Sequence, residues 1–369
     1  MRRPSFRMLT PIVMVSSIAI AVVASSACSS SSNTTPFTPG TQGSSSGAPA
    51  NATWCTGPAA TACKAVDVCG VCVPSPPAAP VKRTSDTREY AGSGPPDVSC
   101  FDKGKAHAYD PKSTQMATMR GYARIFANGP DSQNVKIEVY KEALDGKGMP
   151  TGKLGDLVGS TVSDKTLPAG TKQETIYKAG KPETRTLYPY ELKNVPTETP
   201  LIFKTSGSTP DAGWFALYDF NQIAYNSDLV AGVWTVDVRA LGNDDYSLII
   251  RAAYTRPPVG GQGAIAGEVH DCGDVRLSNA TVGISPATGL GLFYLSETED
   301  DPLPDQKLVS SAKLGLYAEG GFDPGVYQVA AAGTVGTTVY ALGSYPVQAF
   351  ADSVSVFTFR GVRPWQIAH

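Results

Sequence analysis

Cysteine is the residue with the most chemistry to offer in this sequence of 369 residues, which contains seven of them. Four lie close together, at Cys55, Cys63, Cys69 and Cys72, in a segment too short to form a hydrophobic core of its own. Four thiolates can bind a tetrahedral zinc ion, and the last two have the Cys-x-x-Cys spacing of a redox pair. A zinc ribbon needs two such pairs, however, and a thioredoxin-like pair needs a βαβ context. We therefore predict a knot stapled by disulfides over residues 54–73.

The other three cysteines are Cys28, Cys100 and Cys272. If Cys28 carries a lipid, as argued below, six cysteines remain, and an even number suits disulfides in an oxidising compartment. Cys100 and Cys272 would then form a disulfide with each other, although the sequence alone does not fix the connectivity.

Histidines and carboxylates offer little catalytic machinery. The three histidines, His107, His270 and His369, have no metal-ligand spacing, so an HExxH zinc hydrolase is excluded and a Ser-His-Asp triad lacks candidates. We interpret His270, beside Asp271, as a turn residue. The acidic stretch 297–305 could bind calcium but lacks the EF-hand pattern, so a solvated loop is favoured. The sequence therefore predicts no catalytic, cofactor or metal site.

An aromatic segment, WFALYDF, is the strongest candidate for ligand binding. As a strand it would place Trp214, Tyr218 and Phe220 on one face, where exposed rings could stack on sugars or anchor a protein partner. Because Phe215 and Leu217 make the opposite face apolar too, a strand buried in a sandwich core is the favoured alternative.

Short runs with a period of two indicate that these residues are positioned by β-sheets. Residues 135–139 and 234–239 alternate apolar and polar side chains, and shorter β-like runs occur at 280–284, 326–330 and 354–356. No stretch combines helix caps with an apolar stripe at helical spacing, so few helices are expected. The sequence predicts an all-β chain of two antiparallel β-sandwich modules.

Proline-rich segments suggest where the modules begin and end. VPSPPAAP follows the cysteine knot and should adopt an extended polyproline conformation that separates the knot from the rest, and RPPVGGQ divides the remainder. The predicted organisation is a Pro-rich spacer and lead-in at 74–112, a first module at 113–255, a linker at 256–262 and a second module at 263–369.

The second module carries two groups of short motifs. GEVHDCG at 267–273 precedes ATV at 280–282, and GF at 321–322 precedes PGVYQV at 324–329. Residues 263–335 thereby resemble the carboxypeptidase regulatory-like domain, a transthyretin-like sandwich of about seven strands. That family opens with Gly-x-Val-x-Asp-x-x-Gly and Ala-x-Val and closes with Gly-x-Phe and Pro-Gly-x-Tyr-x-Val. The resemblance implies a noncatalytic spacer, surface module or enzyme partner. It is weaker in the first module, so whether the modules are repeats stays open.

The first 28 residues look like an export signal. Arg2, Arg3 and Arg7 precede an apolar run from Met8 to Ala24, and small residues then lead to Cys28. This order resembles the signal of a bacterial lipoprotein, which implies removal of residues 1–27 and a lipid on Cys28. Ordinary cleavage, giving a secreted chain, is an alternative. A retained membrane helix is another, but the run is shorter than the roughly 20 apolar residues that span a bilayer.

Residues 28–53 are predicted to form a disordered tether. They contain no charge and one aromatic residue, Phe37, so they cannot bury enough apolar surface to offset the entropy of ordering. Such a composition is typical of a flexible connection between a membrane and a folded body. The residue directly after the cysteine is Ser29 rather than Asp. In the lipoproteins that this signal resembles, a residue other than Asp at this position implies sorting to the outer membrane.

Net charge excludes one class of partner. Residues 1–27 contain three arginines and no acids, so the remaining 342 residues carry 28 Lys+Arg against 33 Asp+Glu, a formal charge of −5. Nucleic acid is not an expected partner, because phosphate binding needs clustered Lys and Arg. We expect a noncatalytic cell-envelope lipoprotein that displays its modules for adhesion or for recognition of carbohydrate or protein. The alternative is a structural spacer or assembly component of an envelope complex.

Overall fold

The computed structural model describes residues 65–363, except 86, 102–109, 128, 130, 168, 179, 297, 300 and 301, together with residues 52, 55 and 63. The chain divides into two units, Met1–Gly43 and Ser44–His369, and every described residue belongs to the second. The predicted signal peptide and the lipidated Cys28 lie outside the described residues. The same holds for the tether at 28–53, apart from Ala52.

The described residues form 22 strands and one α-helix. The first eleven strands are β1 (Val66–Val68), β2 (Val71–Val73), β3 (Lys82–Arg83), β4 (Met116–Ile125), β5 (Val135–Leu144), β6 (Pro150–Val162), β7 (Lys172–Lys178), β8 (Lys181–Leu187), β9 (Pro189–Pro196), β10 (Leu201–Gly207) and β11 (Trp214–Gln222). The remaining elements are β12 (Val233–Thr235), β13 (Val238–Gly242), α1 (Asn243–Tyr254), β14 (Gly263–His270), β15 (Leu277–Ser278), β16 (Thr281–Ser285), β17 (Phe293–Leu295), β18 (Pro304–Asp305), β19 (Leu316–Phe322), β20 (Gly325–Val335), β21 (Thr338–Ala349) and β22 (Ser353–Arg360). Single 3₁₀ turns occur at Ser99–Phe101, Pro111–Ser113, Pro210–Ala212 and Asn226–Asp228.

A sheet of 13 strands runs through most of the described chain, and the all-β prediction is confirmed. Its strands are not all antiparallel, however. β22 lies between β11 and β14 and is parallel to both, and β4 is parallel to β12 and β13. The period-two pattern predicts a strand but not its direction, because the alternation of side chains is the same in both types of pairing.

This sheet crosses the linker predicted at 256–262. Residues Ala216–Phe220 of β11 are paired with Ser353–Phe357 of β22, and Ala264–His270 of β14 are paired with Val354–Arg360 on the other edge of the same strand. The last strand of the described residues thereby joins both predicted modules by backbone hydrogen bonds.

The second half contains a sandwich core. A smaller sheet with the order β16-β20-β21 packs against β14, β19 and β22 of the large sheet. Its apolar side chains include Val282, Val329 and Val347, and those of the large sheet include Ile265 and Phe357. Each of these residues is at most 2% exposed, so the core is closed on both faces.

The cysteine-rich segment and the proline-rich segment both pack on this sandwich, which corrects the expectation that the proline-rich segment acts as a separating spacer. Val68, Val71 and Val73 of the β1–β2 hairpin belong to the sandwich core. The following residues are held by hydrogen bonds, because Thr281 Oγ1 donates to the carbonyl of Pro74 and Thr334 Oγ1 to that of Pro77, both at 2.8 Å. Extended proline-rich backbone leaves its carbonyls free, so it can accept such bonds.

Helix α1 is an element that the sequence analysis missed. Tyr246, Ile250 and Ala253 form its buried face, and Asp244 and Asp245 favour its N-terminus electrostatically. Its start lacks a side-chain cap, which removes the usual signal. Within the part of the chain that the structure describes, no helix has the length and apolar character to cross a membrane.

Disulfides tie these segments together. Cys55 is bonded to Cys69, Cys63 to Cys72, and Cys100 to Cys272. The first two bonds close the knot, and the third joins the lead-in to the turn after β14 across 172 residues. This agrees with the prediction that these six cysteines are disulfide-bonded.

Mass spectrometry of the nonreduced protein should find no free thiol among these six cysteines. Peptide mapping should recover the three pairs given above, because each pair has the Cα separation of 5.0–5.7 Å that a disulfide requires. Two or more alkylated thiols, or a different pairing, would contradict the arrangement.

A buried carboxyl links the first half to the second. Glu142 of β5 is 4% exposed and accepts hydrogen bonds from Tyr345 Oη of β21 at 2.5 Å and from the backbone N–H of Gly152 at 2.8 Å. Burial raises the pKa of Glu142 to about 8, and the two hydrogen bonds offset only part of the effect. The side chain therefore favours its neutral form in the folded protein.

Folding stability should depend on the titration of Glu142. Because its pKa is higher in the folded than in the unfolded chain, its contribution is complete below about pH 4.5 and is lost as pH rises toward 8. The expected loss is on the order of a few kcal/mol. Glu142→Gln, which imitates the neutral form, should flatten this part of the curve of unfolding free energy against pH. Exposed Glu183→Gln is the control, and superimposable curves for Glu142→Gln and the wild type would contradict the assignment.

Candidate functional site

The most polar part of the interior is centred on Glu268 and His270, which lie two residues apart on one face of β14. Both are almost fully buried, at 2% and 0% exposed. Glu268 Oε2 is 2.6 Å from His270 Nε2, and its other oxygen lies 2.9 Å from an Arg239 Nη atom. Arg276 completes the cluster, since its Nε and Nη2 atoms each donate to Glu268 at 3.2 Å. This position corrects the interpretation of His270 as a turn residue.

The cluster extends into the acidic stretch. Glu299 accepts from Arg276 Nη1 and from Arg88 Nε, the latter at 3.0 Å, and its side chain is 16% exposed. The expectation of a solvated loop is therefore wrong for Glu299, because two guanidinium groups hold it against the body. The charge pattern alone did not show this, since Arg88 is more than 200 residues away in sequence.

On the other side of His270 lies a second carboxylate. Asp274 Oδ1 is 2.7 Å from both His270 Nδ1 and Arg360 Nε. Tyr90 covers these groups, with its ring 4.7 Å from that of His270 and three guanidinium groups, those of Arg239, Arg276 and Arg360, 5.8–5.9 Å from its centroid. Cation–π attraction favours this packing.

Electrostatics fix the charge of both carboxylates. Burial alone would raise the pKa of Glu268, but Arg239, Arg276 and the hydrogen bond with His270 hold it well below its usual range. Burial would also raise the pKa of Asp274, and Arg360 together with His270 lowers it instead. Both carboxyl groups therefore stay ionised, and their negative charges balance the positive charges of the buried arginines.

This arrangement is poorly suited to proton transfer on a substrate. Carboxylates occupy both ring nitrogens of His270, so neither nitrogen is free to act as a general base. Within the described ranges, no group of three or more His, Cys, Asp or Glu side chains could hold a metal ion. The cluster joins β14, β13, the end of β22 and the lead-in.

A cavity of about 590 Å³ opens beside this cluster. Tyr90, Arg124 and Arg360 form the wall next to the cluster, Trp234 and Tyr225 are two aromatic members of its lining, and the Cys100–Cys272 disulfide also borders it. We call it the Trp234 cavity. Its volume lies in the range of small-molecule sites, and its lining mixes aromatic and charged side chains.

The structure does not expose the aromatic face that the sequence singled out. Trp214 is 6% exposed and donates from its indole N–H to the carbonyl of Gln133 at 2.9 Å, and Phe220 is fully buried. Tyr218 is half-buried and stacks on Phe350 with ring centroids 3.9 Å apart. These residues belong to the packing of the body, as expected for the buried strand that the sequence analysis favoured over a stacking role.

Sequence reasoning missed the residues that line the Trp234 cavity. The sequence pattern placed Trp234 in a single strand over residues 234–239. In the structure this strand is interrupted at Val236 and Asp237, which separate β12 from β13. Gly121 of β4 lies at this break, where a side-chain Cβ would come within 1.9 Å of the Val236 carbonyl oxygen. Gly121 was the signal in the sequence for this interruption, because only glycine leaves room for the Val236 carbonyl. The signal can be interpreted only once β4 is known to pair with both β12 and β13.

Comparisons with known proteins give no family for the chain. No family model matches it, and no curated protein matches it. Among solved structures, the shaft pilin SpaA of Lactobacillus rhamnosus GG has 11% identity and a TM-score of 0.19, with 66% of this chain and 96% of that chain covered. A streptococcal ancillary pilin has 12% identity and a TM-score of 0.16, with 67% and 63% covered. The minor pilin GBS52 of Streptococcus agalactiae has 11% identity and a TM-score of 0.17, with 66% and 94% covered. TM-scores this low do not indicate a shared fold.

Removing the charge of Glu268 should destabilise the protein severely. Glu268→Gln leaves Arg239 and Arg276 buried without their main counter-charge, and breaking a buried ion pair in this way costs about 3–5 kcal/mol. Glu191→Gln removes the partner of Arg120, whose side chain is 50% exposed, and should cost less than about 1 kcal/mol. Urea denaturation measures both, and equal losses would show that the cluster does not hold the fold.

Proposed function

We propose that this chain is a noncatalytic lipoprotein of the cell envelope whose rigid β body is presented on a flexible tether for recognition of a ligand. The observation that carries the proposal is the cluster around Glu268, in which buried arginines and carboxylates neutralise one another. Because carboxylates occupy both ring nitrogens of His270 and guanidinium groups lie beside Glu268 and Asp274, these side chains are engaged with one another rather than with a substrate.

Two features of the sequence support the location. Arg2, Arg3 and Arg7, the apolar run and the small residues before Cys28 resemble a lipoprotein signal. The uncharged stretch after Cys28 would allow the body to stand away from the membrane. Three disulfides in the body suit an oxidising compartment outside the cytoplasm.

A second candidate function is a structural spacer or assembly component of an envelope complex. The 13-stranded sheet contains strands from both sides of residues 256–262, and this favours the spacer function. A body whose halves are joined in one sheet can transmit force and keep its partners at a fixed separation. The two functions differ in what the protein binds. A spacer co-purifies with protein partners and has no small ligand, whereas a recognition module binds a ligand on its own.

The lipid anchor should be demonstrable on Cys28. The native chain should fractionate with membranes and begin at Cys28 with the added mass of a diacyl or triacyl group, because a lipid anchor holds it in the bilayer. Cys28→Ala should be released into the soluble fraction with an otherwise unchanged body. Intact mass and membrane fractionation measure both. An unmodified chain free in the medium would make this a secreted protein instead and overturn the anchored part of the proposal.

A further inference from the structure

We propose that the Trp234 cavity binds a neutral saccharide. This inference rests on the recognition function proposed above and supplies its ligand class and its site. It replaces the aromatic face of Trp214, Tyr218 and Phe220, whose rings are committed to packing, with a different set of side chains.

The first support is an unpartnered indole. Trp234 is 6% exposed and packs on Phe203, with ring centroids 5.7 Å apart, but its N–H donates to no residue in the described part of the chain. In the described side chains, three polar atoms have neither a hydrogen bond nor contact with solvent. The Trp234 nitrogen also lacks a hydrogen bond but is not one of these three. The N–H therefore reaches solvent, and Trp234 lines the cavity. A buried indole usually finds an acceptor, so this donor indicates a place for one.

A second donor belongs to the lining of the same cavity. The Tyr90 hydroxyl has no hydrogen-bond partner among the described residues, and Tyr90 also borders the cavity. Its backbone has φ = 53°, a left-handed conformation that a tyrosine rarely adopts, and the surrounding guanidinium groups hold the ring in place. Burial raises the pKa of Tyr90, so the hydroxyl stays protonated and can donate.

The charges of the lining favour a neutral ligand. Its arginines number four and its carboxylates four. The arginines are Arg88, Arg124, Arg360 and Arg363, and the carboxylates are Glu89, Asp228, Asp237 and Asp274. Arg124 is already within 2.5 Å of Glu89, and Arg360 within 2.7 Å of Asp274. Neither an anion nor a cation would find an excess of opposite charge here.

Saccharides fit a lining of this kind. Sugar hydroxyls both donate and accept, so they can bond to guanidinium N–H groups and carboxylate oxygens, and they can accept from the Trp234 N–H and the Tyr90 hydroxyl. The walls are held in place before binding by the Glu268 cluster and by the Cys100–Cys272 disulfide. A preformed site of this kind loses little entropy when it is occupied.

An array of neutral and acidic oligosaccharides, probed with the full lipid-bearing chain in detergent, should select neutral ones. Titration calorimetry with the strongest neutral binder should then show that Trp234→Phe and Tyr90→Phe each weaken binding about 3- to 10-fold, because each loses one hydrogen bond. Trp214→Phe, the same change outside the cavity, should bind like the wild type. Near-ultraviolet circular dichroism checks the fold of each variant, and if Trp234→Phe does not fold, Tyr90→Phe decides.

The inference is overturned if no oligosaccharide binds, if only acidic ones bind, if a peptide binds in the cavity instead, or if both variants keep wild-type affinity. Membrane fractionation of the Cys28→Ala chain is measured separately. A failure of saccharide binding beside a membrane-bound native chain therefore removes the ligand class and leaves the anchored envelope protein in place.

Discussion

The buried carboxylate of Glu268 is the constraint on which the rest of the body depends. A carboxylate that leaves water loses on the order of several kcal/mol of hydration, and the loss is recovered only if both oxygens are satisfied at good geometry. Here Arg239 comes from the first half of the chain, His270 from the same strand and Arg276 from the following turn. These three side chains lie beside one carboxylate only if β13 and β14 take up this arrangement, so the pairing of charges specifies how the halves meet.

Backbone pairing and charge pairing reinforce each other along β22. This strand joins β11 to β14, and its last residue, Arg360, binds Asp274 in the turn that follows β14. The Cys100–Cys272 disulfide reaches the same turn from the lead-in. A domain boundary in sequence is therefore not a hinge in the structure, because the interface between the halves contains hydrogen bonds, ion pairs and a covalent bond rather than a thin polar contact.

The strands of this arrangement could be predicted from the sequence, but the pairing of its charged side chains could not. Alternating runs such as 135–139 predicted strands, because the side-chain period of a strand is local. The partners of Glu268 and Glu299 are distant in sequence, so their pairing depends on topology that no local pattern encodes. Trp214 and Trp234 illustrate the same limit. Both lie in apolar strands and are equally buried, but only Trp214 meets an acceptor for its indole N–H, and the acceptor belongs to another loop.

The rigidity of the body and the recognition site proposed above would both follow from the same physical arrangement. Burying charges costs stability unless each lies beside an opposite charge, and charges held in this way leave few mobile groups at the edge of the cluster. The cavity beside it therefore has walls that are fixed and nearly neutral, with an indole N–H and a tyrosine hydroxyl still free to donate. Donors fixed in advance discriminate by geometry, because a ligand gains from them only where its acceptors lie at the right spacing. The frame that occupies both ring nitrogens of His270 is thus the one that would make the proposed site selective.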